Sequence, residues 1–234
     1  TINALARVAG ASVTAVDVGV GRPTGDIRTE PAMSPSRFEE AFQIGRTAVQ
    51  NADCDLLALG EMGIGNTTSS AAIAAALFGG DTGEWVGRGT GVDDKGLERK
   101  SDAVQRAVSR VGDASPYEIL RQLGGTELVA LAGAIVEARK HRIPVVLDGF
   151  VVAAAAAPLY SYNPRALDHC VVGHRSAEAG HERLLNNLDL QPILEMEFRL
   201  GEGSGAAAAI PLISMACAAA VRVPTFSEFF GTDT

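Results

Sequence analysis

Apolar positions along this chain fall into two alternating rhythms. Short apolar runs at Val13–Val18, Leu56–Leu59, Val145–Leu147 and Cys170–Val172, and a weaker one at Leu194–Phe198, have the length of buried strands. Between them the spacing turns helical, over Ile2–Val8, Pro35–Asn51, Thr67–Phe78, Asp94–Val111, Pro116–Leu123, Glu127–His141, Val151–Tyr160, Glu178–Leu188 and Gly205–Arg222. Ser34 before Pro35 is a helix start by residue type, because a hydroxyl can accept an orphan amide and proline suits the first helical position. This alternation predicts one α/β domain built on a mainly parallel sheet.

A sheet of that kind also says where its chemistry lies. Ligands bind beyond the carboxyl ends of the strands. Glycine-marked turns stand at such ends, Asp17–Gly19, Gly60–Gly65, Asp148–Phe150 and Gly173–Ser176, and Leu200–Gly205 follows the weaker strand. All are expected along one rim. In GEMGIGNTTSS, Gly60–Ser70, unpaired amides and a helix dipole can face an anion. The loop has no Walker A lysine, which counts against a nucleoside triphosphate. A plain glycine turn capped by Asn66 or Thr67 explains the same residues without any ligand.

Glu61 and Glu202 sit beside glycines in two of these turns, and paired carboxylates on one rim suit a base and a stabiliser of positive charge. For each, a solvated turn glutamate is the plain alternative. His174, Glu178 and His181 invite a metal, but no further ligand pair completes a tetrahedral set, so capping and loop fixing are expected instead. Asp93 and Asp94 read as a helix start rather than a magnesium pair.

Composition narrows the partners. The 234 residues are 47% hydrophobic but only 5% aromatic, with 26 glycines, which suits helices packed closely on a sheet. A net charge of -8 and a pI near 5.0 leave no broad cationic footprint for nucleic acid or an acidic membrane, while a small anion held locally stays compatible. Cys54, Cys170 and Cys217 form no C-x-x-C pair and lie in apolar stretches, as buried thiols of a reducing compartment do. With no basic leader ahead of an apolar core, a cytoplasmic location is expected. The uncharged run Gly205–Val221 approaches spanning length, yet it is alanine-rich and holds Pro211, so a buried helix is expected there. The glycine-rich loops Gly19–Met33 and Gly79–Val92 are long enough to be functional or mobile. A start without methionine inside a helical pattern, and the tail Val223–Thr234, suggest trimmed boundaries.

Six ordered stretches then carry a resemblance. GEMGIGNTTSSAA, VGRGTGVDDKGLERK, LGGTELVALAGA, PVVLDGF, GHRSAEAGH and RLGEGSGAA resemble the nicotinate-nucleotide:dimethylbenzimidazole phosphoribosyltransferases, over about Ile2–Phe226. The resemblance implies a Rossmann-like α/β fold with helices on both faces of the sheet, a homodimer and no cofactor. It implies a pentosyl-transferring glycosyltransferase that moves phosphoribose from nicotinate mononucleotide to 5,6-dimethylbenzimidazole, giving α-ribazole 5′-phosphate and nicotinate in cobalamin nucleotide-loop synthesis. By the same likeness Glu202 is the general base and Glu61 a second active-site carboxylate. Phosphate and ribose contacts fall on Gly63, Asn66, Thr67, Thr68, Gly89, Lys100, Gly149 and Ser176.

Members of that family carry roughly a hundred residues ahead of this start, the size of a small domain. Residues 1–234 are therefore expected to be a single catalytic α/β domain, the C-terminal two thirds of a longer family chain with the smaller domain largely absent. Two other readings stay open. One is a non-catalytic module that keeps only the nicotinate mononucleotide seat, and the other is an unrelated triphosphate-dependent enzyme.

Overall fold

The structure is a computed structural model that describes residues 1–87, 91 and 93–231. Among these, β1 (Leu57–Leu59), β2 (Val145–Leu147), β3 (Cys170–His174) and β4 (Pro192–Leu194) form one parallel sheet in sequence order. The helices are α1 (Ile2–Ala9), α2 (Pro35–Gln50), α3 (Asn66–Phe78), α4 (Asp94–Val111), α5 (Pro116–Leu123), α6 (Thr126–His141), α7 (Phe150–Tyr162), α8 (Ala179–Asn187), α9 (Ser204–Arg222) and α10 (Phe226–Phe230).

When strand order follows sequence order, right-handed crossovers put the linking helices on one face. The strands show this by their alternation. Val145 and Leu147 join the main core with Ile73, Leu128, Ile135, Val152 and Leu184, whereas Val146 turns the other way to meet Ala206 and Ala209 of α9. Helix α9 thus covers the second face, with α1 packed on it. Gly173 permits the approach, since a Cβ there would lie 2.7 Å from the Ala206 Cα. The α/β class with helices on both faces is as expected.

Helices α2 and α6 pack against each other at close range. A Cβ on Gly45 would overlap the Ala130 carbonyl, and one on Gly133 would overlap that of Phe42. Beside this crossing the buried Glu137 accepts from Arg46 Nε at 2.8 Å and Gln50 Nε2 at 2.9 Å, with Lys140 and His141 at 3.3 and 3.1 Å.

Four expectations need correction. Residues Val13–Val18 form no strand: among the described residues no neighbouring strand offers a ladder, and Asp17 instead takes the Gly19 and Val20 amides, each at 2.8 Å, into a turn. The Asp17–Gly19 turn is therefore not at a strand end. The weaker strand stops at Leu194, because Glu197 adopts a φ of 52°, although Ala177 N still reaches the Phe198 carbonyl at 3.0 Å. Of the cysteines only Cys170 is buried; Cys54 is partly covered and Cys217 exposed. Finally, α9 is buried only through its first turns. Met215 and Val221 lie open, the latter 83% exposed, because the sheet beneath the helix ends before they do. By length and composition α9 would also pass as a membrane span. The tail beyond it forms α10, started by a capping box between Thr225 and Glu228.

Candidate active site

Three strand ends and the turn before α9 meet at one rim. At the end of β1, Gly60 lies so close to Gly203 that any side chain on Gly60 would collide with it. The Glu202 amide donates to the Glu61 carbonyl at 3.0 Å. Glu61 folds its carboxylate back onto its own loop, accepting from Gly63 N at 2.7 Å and from the Asn66 carboxamide. Asn66 also reaches Glu127 Oε1 at 3.2 Å. Burial pushes the Glu61 pKa up against the lowering pull of Gly63 and Asn66, and the charges of Glu127 and Asp148 add to the rise.

Glu202 occupies an unusual backbone. Gly201, Glu202 and Gly203 have φ of 75°, 60° and 72°, three consecutive left-handed residues of which only the flanking two are glycine. Ser204 N closes the turn on the Gly201 carbonyl at 3.0 Å. Gly203 is the N-cap of α9 and brings no side chain of its own. Asp148, from the end of β2, supplies the missing acceptors. Its Oδ1 takes Gly205 N at 2.7 Å and Ala206 N at 2.9 Å, and its Oδ2 takes Gly203 N at 3.1 Å. Burial raises the Asp148 pKa, and these amides with the nearby His174 oppose the rise. Among the described residues, no hydrogen bond or ion pair holds the Glu202 carboxylate.

The residues expected to seat an anion lie alongside. Helix α3 starts at Asn66 behind Gly65, whose φ is 78°, and no side chain among the described residues caps its first amides. Asn66 is thus no helix cap but a ligand of two carboxylates. Lys100 Nζ reaches Thr67 Oγ1 and the Gly87 carbonyl, each at 3.0 Å. Its half-buried ammonium is held below its usual pKa by burial, with Glu178 opposing. Gly149 abuts His174 Cε1 and Ser176 Cβ, at 3.1 and 3.6 Å from where its own Cβ would stand.

Ser176 N donates to His181 Nδ1 at 2.9 Å, and the Ser176 hydroxyl lies at the same distance. An acceptor Nδ1 leaves the proton of the neutral ring on Nε2. Burial, then His174 and Arg175, hold the His181 pKa down to about 3. The loop-fixing role expected of His181 is what these contacts describe. Among the described residues no cluster suited to a metal occurs, and Asp93 caps α4 by accepting from Gly96 N at 2.8 Å.

The sequence-predicted residues fall into three places. Glu61, Gly63, Asn66 and Glu202 meet at the β1 end, Thr67 pairs with Lys100, and Gly149 meets Ser176. Thr68 turns instead, with Gly63 and Asn66, to a cleft of about 430 Å³ that Arg22 and Arg28 also line. Gly89 lies outside the described residues. Sequence reasoning gave no role to Asp148 or Glu127. For Asp148 a signal existed, a carboxylate ending an apolar run just before glycine.

Comparison with known proteins gives the family. The phosphoribosyltransferase family DBI_PRT matches residues 1–229. The chain belongs to that family. Relatives named nicotinate-nucleotide–dimethylbenzimidazole phosphoribosyltransferase include one from Cereibacter sphaeroides (strain ATCC 17025 / ATH 2.4.3), 51% identical, with 97% of this chain and 68% of the relative covered. Another, from Ruegeria sp. (strain TM1040), is 50% identical over 97% of this chain and 67% of the relative. This phosphoribosyltransferase chain thus spans about two thirds of their length. Among solved structures, CobT from Thermus thermophilus superposes with a TM-score of 0.92 at 41% identity, covering 98% of this chain and 74% of that one.

Proposed function

We propose that this chain transfers phosphoribose from nicotinate mononucleotide to 5,6-dimethylbenzimidazole, releasing nicotinate and α-ribazole 5′-phosphate. The observation that carries this reading is the pairing of Glu202 with Glu61, one carboxylate unheld among the described residues and the other folded inward beside a helix start that none of them caps with a side chain. Glu202 is the general base. It takes the N–H proton of the acceptor while the other ring nitrogen forms a bond to the anomeric carbon. The bond from that carbon to the pyridinium nitrogen breaks with its electron pair going to nicotinate, which leaves neutral at that nitrogen and needs no general acid.

Charge on the anomeric carbon becomes oxocarbenium-like in between, and the Glu61 carboxylate stabilises it. The amides opening α3, with Lys100, Thr67, Gly149 and Ser176, seat the phosphate and ribose. Met62 and Ile64, 80% and 100% exposed beside Glu61, offer the aromatic acceptor an apolar surface. Holding two substrates in line supplies most of the rate.

Residues 1–234 act in this reading as one catalytic α/β domain, in a cytoplasmic homodimer. The deciding experiment incubates the protein made from its complete reading frame with both substrates and follows nicotinate and the riboside phosphate by chromatography. Equimolar release that depends on both substrates is expected. Donor binding without turnover would leave only a nucleotide-binding module.

A further inference from the structure

We propose that Asp148 is the positioning residue of the general base, acting through the backbone of the Glu202 turn and not through any contact with substrate. The proposal rests on the reading of Glu202 as base. An L side chain held at a φ of 60° between two left-handed glycines keeps that conformation only where its surroundings impose it. Two strand ends do so here. On the N-terminal side, β1 holds Glu202 by its own amide on the Glu61 carbonyl. On the C-terminal side, the next amide in the chain, Gly203 N, lies on Asp148 Oδ2, and Gly205 N and Ala206 N lie on Oδ1.

Asp148 is suited to this task. It is 2% exposed and directly follows β2, a strand buried on both faces, so its carboxylate is placed by the sheet and not by the loop it holds. A buried carboxylate on several amides at a helix start makes strong charge-assisted hydrogen bonds. His174 backs it, with Nδ1 at 3.6 Å from Oδ1, and the ring fills the space where a Gly205 side chain would stand. The residue after Asp148 is Gly149, which borders Ser176 in the proposed sugar-phosphate seat. One strand end therefore sets both the base and the donor, and with them the distance between proton acceptor and anomeric carbon. A shift of that distance by a fraction of an ångström lowers the rate without changing how the donor binds.

The test compares Asp148→Asn, Glu202→Gln and the double variant in the protein made from its complete reading frame. In Asp148→Asn the amide nitrogen replaces one acceptor oxygen and turns a donor toward a donor. A fall in kcat of at least tenfold is expected, with KM for nicotinate mononucleotide within about threefold. Amide exchange should quicken at residues 201–206 and stay unchanged elsewhere. Because Asp148 works through Glu202, adding Asp148→Asn to Glu202→Gln should lower the rate by less than threefold more. Full independence of the two losses, or a normal kcat in Asp148→Asn beside a slow Glu202→Gln, overturns the positioning role alone; a normal Glu202→Gln sinks the base reading itself. If Asp148→Asn does not fold, Asp148→Glu keeps the charge but displaces the turn by one methylene. A full rate in that variant overturns the proposal.

Discussion

The amide of Glu202 and the carbonyl of Glu61 are 3.0 Å apart, so the two carboxylates of the site are tied together through main chain and not through their own charges. The tie leaves each side chain its own task. Glu61 is occupied by Gly63 N and Asn66, while Glu202 has no partner among the described residues and can take a proton. Glu202→Gln should keep the shape of the turn and lose the base. We expect kcat to fall by roughly 10²–10⁴-fold, the usual worth of a positioned base. Donor affinity, measured by calorimetry, should stay within a few fold. A near-normal rate would remove Glu202 from the reaction.

Glu61 should show itself in the pH profile. Its burial, with the charges of Glu127 and Asp148, raises its pKa above the ordinary 4.5. On acidification it therefore takes a proton earlier than an exposed carboxylate, and its charge is lost to the transition state. The acid limb of kcat should lie above pH 4.5 in the native protein. Glu61→Gln should be slower at neutral pH and lose that limb, and an unchanged limb in the variant would assign it to another group.

In the proposed reaction Lys100 bears on binding. Its ammonium is held on Thr67 Oγ1 and the Gly87 carbonyl at the start of α3, where a phosphate would complete its coordination. A hydrogen bond to a charged group contributes about 1.5–3 kcal/mol. Lys100→Met should therefore raise KM for nicotinate mononucleotide by about tenfold or more, with a smaller change in kcat. Steady-state kinetics at saturating acceptor read the split, and a change confined to kcat would take Lys100 out of the phosphate seat.

How far the sequence carried these conclusions depends on whether the deciding contacts are local. The limits of α4 and α5 agree with the pattern because Asp93 and Ser115 cap them from within the same stretch. The β2 strand agrees because Pro144 and Asp148 bound a short apolar run. Val13–Val18 has strand composition but no partner among the described residues, and pairing is a non-local property that composition does not contain. The same division holds at the rim. Glu61 and Glu202 were legible because each stands among glycines that a tight turn requires. The residue type of Asp148 before glycine was a signal, but its contacts were not legible, since its three amides lie 55 to 58 residues along the chain.

The crossing of α2 and α6 should be intolerant of one methyl group. A Cβ on Gly133 would overlap the Phe42 carbonyl, a backbone atom that moves only if the helices part. Overpacking of this kind costs about 1–3 kcal/mol. Gly133→Ala should lose that much in urea unfolding while KM for nicotinate mononucleotide is kept, because Glu127, the α6 residue that reaches Asn66, lies in the first turn of the helix, before Gly133. An equally stable variant would mean the helices can separate freely.

Acid should loosen the same pair of helices. Gln50 and Arg46, with Lys140 and His141 behind them, hold the Glu137 carboxylate at a pKa of about 2, against an ordinary value of 4.5. A carboxylate with a depressed native pKa stabilises the fold fully above its unfolded value, and that stability is lost as pH falls toward the native one. The contribution of Glu137 is therefore complete above pH 4.5 and vanishes toward about pH 2. Glu137→Gln, which keeps hydrogen-bonding capacity but no charge, should be less stable than the native protein at pH 7. The difference in unfolding free energy should shrink steadily as pH falls from 4.5 to about 2, because the native protein loses what the variant never had. Urea titrations at several pH values measure this directly. A difference that stays constant down to about pH 2 would show that Glu137 holds the helices by shape and hydrogen bonding and not by its charge.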